Sequence, residues 1–154
     1  MSTELRIHAV HESGLRMRAT NGRFAITTDY PITPADQPAG FKPMELLLAS
    51  LAACAGSVVA ALLARLHQPV VGVEVDATGE RRDEHPTVFT AIALDFIVRG
   101  DGIDPAAVER AVAHADRLCP VLAMLKPGTP VPASVEITPS VPMRRIRWLP
   151  VSAM

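Results

Sequence analysis

Apolar and polar residues alternate on both sides of Asn21-Gly22, with Leu15-Arg16-Met17-Arg18-Ala19-Thr20 before it and Arg23-Phe24-Ala25-Ile26-Thr27-Thr28 after it. Period-two alternation around an Asn-Gly pair predicts a β-hairpin. Folding about that pair sets Leu15, Met17, Ala19, Phe24 and Ile26 on one face and Arg16, Arg18, Arg23 and Thr27 on the other. Pro31, Pro34, Pro38 and Gly40 then mark a loop, and Pro43 suits the first position of a helix running from Met44 to about His67, where Gln68-Pro69 ends it. Residues 70–82 and 87–99 read as strands around Asp83-Glu84-His85-Pro86 and should pair antiparallel. Asp104-Pro105 opens a second helix to about Leu118, with Val108, Ala111, Val112, Ala115 and Cys119 on one stripe. Pro120 disfavours helix at Cys119, so a short helix restarts through Val121–Leu125, and residues 131–137 supply a last strand. These elements predict one α+β domain over 1–137 and an irregular, partly basic tail over 138–154.

The interval Leu46–Ala64 carries no charge and is long enough to raise a transmembrane reading. Ser50, Gly56 and Ser57 within it, the absence of aromatic belts and the amphipathic strands on either side favour instead a helix buried on nearly all sides. A small chain buries such a helix most easily at a subunit interface, which predicts a homodimer and no membrane partner.

Fifteen Lys and Arg against sixteen Asp and Glu leave no broad field for nucleic acid. The N-terminal stretch lacks a secretion pattern, which predicts a cytoplasmic protein with its two cysteines as thiols. Two cysteines and the scattered His8, His11, His67, His85 and His114 show no metal spacing, so neither a metal nor another bound cofactor is expected. Taken alone, Cys54 reads as a small buried residue among alanines. Cys119 stands before the start of a short helix, where dipoles favour a thiolate. Were the two to approach, one thiolate could attack a peroxide and the other resolve the sulfenic acid.

Three segments carry a family resemblance. Phe41-Lys42-Pro43-Met44-Glu45-Leu46-Leu47-Leu48-Ala49 leading to Cys54 resembles the Pro-x-Glu-Leu-Leu-x-Ala-x-x-x-x-Cys stretch of OsmC/Ohr proteins, closest to the broad OsmC-like branch. Asp104–Val112 running to Leu118-Cys119-Pro120 resembles that family's second helix and second cysteine, and Glu80–Thr90 resembles the segment before its paired strand. The resemblance implies an α+β fold of curved antiparallel sheets around two central helices in an intertwined homodimer. It further implies a thiol peroxidase of oxidative-stress defence with Cys54 as the peroxidatic thiol, Cys119 as the resolving one and an external dithiol as reductant; the aliphatic residues expected around Cys54 (Leu51, Val58, Val59 and Met124) favour organic hydroperoxides as substrate. A non-catalytic protein of the same fold, holding a small apolar ligand at the dimer cleft, is the alternative.

The family's peroxidases add a Glu and an Arg beside the reactive cysteine. Met44 occupies the place of that Glu and Glu45 follows it. At about 100° per residue, the nine steps from Glu45 to Cys54 set them on opposite helix faces. Arg18 is the first candidate for the Arg, with Arg16, Arg23 and Lys42 competing.

Overall fold

The structure is a computed structural model and describes residues 4–140. The chain clusters into two compact units that divide at Leu51/Ala52. Among the described residues each unit has its own three-stranded sheet.

The first unit is an antiparallel meander of β1 (His8–Ser13), β2 (Arg16–Thr20) and β3 (Ala25–Thr28), followed by a loop and the start of α1 (Pro43–Arg65). Its hairpin pairs Ala19 with Ile26 and Thr20 with Ala25, so the loop has four residues and the register lies two residues from that of a two-residue turn. A two-residue shift preserves which side chains share a face. The longer loop is stabilised by Asn21, whose side-chain oxygen accepts the N–H groups of Arg23 and Phe24 at 3.0 and 2.8 Å. Apolar side chains of this unit, including Ile7, Phe24, Ile26 and Phe41, remain exposed.

In the second unit α1 continues on a buried stripe of Ala55, Val59 and Leu63, one helical turn apart. Ala53, Ser57, Ala60, Ala61 and Ala64 face away from it and are exposed, so within the single chain the helix is buried on one side only. The helix ends in a Schellman motif: Gln68 N–H donates to the Leu63 carbonyl and His67 N–H to that of Ala64, both at 3.0 Å. His67, at φ 52°, takes the left-handed position usually given to glycine.

β4 (Gly72–Arg81) and β5 (Phe89–Arg99) pair antiparallel. β5 is central and buries Ile92, Leu94, Phe96 and Val98 on one face. The chain then crosses through α2 (Pro105–Leu118) and α3 (Pro120–Leu125) to β6 (Ala133–Thr138), which lies parallel to β5. The second sheet is therefore mixed, not wholly antiparallel as expected, because a helical crossover returns the chain in the same direction. A side chain at Gly56 would meet Val75 at 2.9 Å, so glycine allows α1 its close approach to β4.

Asp104 caps α2 by accepting Ala106 N–H at 3.0 Å, and Ala107, Val108, Ala111 and Ala115 form its buried stripe. Thr138 is the last residue of β6, and Ser140 donates its N–H to Asp101 at 3.2 Å, so the segment from 138 begins in regular structure. The rest of the tail, from 141, lies outside the described residues.

Candidate redox site

Cys54 and Cys119, 65 positions apart in sequence, meet in the second unit with their sulfurs 2.9 Å apart, and both are free thiols. Cys54 sits in α1 one residue before buried Ala55, at the border of the buried stripe, and is half-buried. Cys119 occupies the joint between α2 and α3. Pro120 keeps it extended (φ −77°, ψ 111°), so it ends one helix and caps the next. Its backbone N–H donates to Ala115, its sulfur accepts Leu122 N–H at 3.5 Å, and it is fully buried.

The Cys119 thiol is pushed above its ordinary pKa, first by burial, then by the hydrogen bond to Cys54, with the Leu122 N–H opposing. The sequence argument that the start of α3 favours a Cys119 thiolate is corrected on this point: desolvation outweighs the opposing Leu122 and Val121 N–H groups at the start of the helix. Cys119 is thus the S–H donor and the Cys54 sulfur the acceptor. Disulfide formation would require the sulfurs to approach by under about 1 Å.

The other candidates lie in the first unit. Glu45 is the third residue of α1 and accepts Lys42 N–H at 2.9 Å, satisfying a donor left free at a helix start. Arg18 is exposed in the middle of β2, paired in register with Val10 and Thr27. Among its competitors, Arg16 donates to Asp29 at 3.1 Å and Arg23 lies 5.1 Å over the Phe24 ring. The sequence reading missed Asp29, which is only 7% exposed. It also accepts the N–H groups of Ala39 and Tyr30, tying down the loop between β3 and α1. Its signal was weak, a carboxylate entering a Pro-rich loop. Among the described residues no group of three or more His, Cys, Asp or Glu is placed to hold a metal.

A close pair of thiols carried by helices on a three-stranded sheet defines an α+β protein with a dithiol site. The family profile described as OsmC-like protein matches residues 35–134, both cysteines included. The chain is 41% identical over 96 residues to Protein YhfA of Escherichia coli (strain K12), covering 62% of this chain and 72% of that protein. A solved protein of Aquifex aeolicus VF5 superposes with TM-score 0.81 at 27% identity, over 91% of this chain and all of that one. An organic hydroperoxide resistance protein OsmC of Legionella pneumophila superposes with TM-score 0.67 at 19% identity, over 87% and 97% of the two chains. The chain belongs to the OsmC-like family.

Proposed function

We propose that this protein is a thiol peroxidase for organic hydroperoxides, working as a cytoplasmic homodimer with Cys54 and Cys119 as its redox pair. The observation that carries the reading is the 2.9 Å approach of the half-buried Cys54 sulfur to the buried Cys119 sulfur. The Cys54 thiolate attacks the outer oxygen of the hydroperoxide, the O–O bond breaks, and the alcohol leaves with a proton. The thiol becomes a sulfenic acid. Cys119 attacks that sulfur, water leaves, and a Cys54–Cys119 disulfide forms; an external dithiol restores both thiols.

Protonated Cys119 suits the sequence of events. It hydrogen-bonds the Cys54 sulfur beforehand, then stands beside the sulfenic acid it must resolve. The hydroperoxide resistance protein among the structural relatives supports the choice of substrate. So does the apolar company of Cys54, with Leu51 and Ala55 as its fully buried neighbours on α1. The proposed dimer would cover the exposed Ala53, Ala60 and Ala64 face of α1 and the exposed apolar residues of the first unit. No metal, nucleic acid or membrane is required.

The test is consumption of cumene hydroperoxide with a dithiol reductant, comparing wild type with Cys54→Ser. Wild type should turn over and the variant should fall to the uncatalysed rate. Equal rates would replace this reading with a non-catalytic protein binding a small apolar ligand at the dimer cleft.

A further inference from the structure

Between the C-terminal end of α1 and the middle of α2 lies a cleft of about 270 Å³ that the dithiol chemistry does not use. Leu62, Leu66 and Ala111 form its apolar floor, and Arg65, Arg110 and His114 line it with cationic and imidazole groups. No carboxylate lines it. Leu66 is left 45% exposed there, and among the described residues Arg65 makes no ion pair. Arg110 forms an ion pair with Asp104 at 3.6 Å between two exposed side chains, a pairing weak enough for a ligand carboxylate to compete with. The His114 ring is fixed by Nδ1–H donating to the Arg110 carbonyl at 2.7 Å.

We propose that this cleft binds a medium-chain aliphatic carboxylate, with its head on Arg65 and Arg110 and its chain on Leu62, Leu66 and Ala111. The planar guanidinium fork matches a carboxylate, and an apolar floor selects an alkyl chain over a free inorganic anion. At about 30 Å³ per water-sized atom the cleft takes roughly nine heavy atoms, the size of hexanoate to octanoate. Positive lining in a chain of net charge −1 makes the site a local feature, not part of a general anion field. On α1, Leu62 and Leu66 flank the buried Val59–Leu63 stripe, opposite Ala53, Ser57, Ala60 and Ala64. A second copy on the alanine face therefore leaves the cleft open.

Calorimetric titration of the reduced full chain with octanoate tests the proposal. Binding should saturate, weaken at least tenfold for octan-1-ol and for R65E/R110E, be intermediate for R65K/R110K, and persist unchanged in Cys54→Ser. No saturable binding up to millimolar octanoate, or equal affinity for octanoate and octan-1-ol, would overturn it. So would loss of binding in Cys54→Ser, which would place the carboxylate at the thiol site. If R65E/R110E does not fold by circular dichroism, the octan-1-ol comparison on wild type decides.

Discussion

Leu63 is the most informative place to perturb the scaffold, because it is fully buried on a helix whose composition alone suits a membrane. Leu63→Ala removes three carbons. At about 0.8 kcal/mol per buried methylene, lost transfer energy alone is about 2.4 kcal/mol. The cavity left behind raises the cost, and about 3 kcal/mol falls within the range of such truncations. For a chain of this length that lowers Tm by about 6–12 °C. Leu118→Ala is the matched control: the same atoms leave a residue that is 55% exposed, and the expected change is within about 0.5 kcal/mol. Urea unfolding followed by circular dichroism, at one fixed protein concentration, measures both. A loss below about 1 kcal/mol for Leu63→Ala, or equal losses for the two variants, would refute the placement of this side of α1 in a protein core.

Three further outcomes follow from named contacts. Asp104→Ala removes the cap of α2 and should cost about 1 kcal/mol in the same unfolding assay. Asp29 is held below its ordinary value of 3.8, first by the Ala39 N–H and also by Arg16. Its contribution is complete above that value and is lost as pH falls through the lower folded-state value. The stability difference between wild type and Asp29→Asn should therefore be constant near neutrality and shrink in acid; a difference that grew in acid would reverse the assignment. Cys119 has the opposite sign. Its pKa is raised above 9.0, so its contribution is complete below 9.0 and is lost as pH rises through the higher folded-state value. In Cys54→Ser, where burial remains the main cause, Cys119 should alkylate with iodoacetamide much more slowly than an unfolded control at neutral pH.

Punctuation made much of the fold legible. Asp104-Pro105 and Cys119-Pro120 mark the starts of α2 and α3, and Gln68-Pro69 marks the end of α1 to within a few residues. The direction of β6 was not legible, because alternation reports a strand and its faces but not its neighbour. The four-residue hairpin loop was hidden for a related reason: a two-residue shift leaves the pattern unchanged.

At the site, both cysteines could be picked out, but their approach depends on α1 and α2–α3 meeting across 65 positions, which no local spacing encodes. Burial of Cys119 was equally invisible, and it reversed the expected direction of its acidity. The helix-start role of Glu45 was legible, because its place in the first turn explains its bond to Lys42 N–H.

Intact-mass analysis after one equivalent of cumene hydroperoxide tests the central claim most directly, using reduced wild type, Cys54→Ser and Cys119→Ser. The account predicts loss of two hydrogens in wild type, one added oxygen on Cys54 in Cys119→Ser, and no rapid change in Cys54→Ser. Two unmodified thiols in wild type, or oxidation that begins at Cys119, would contradict it.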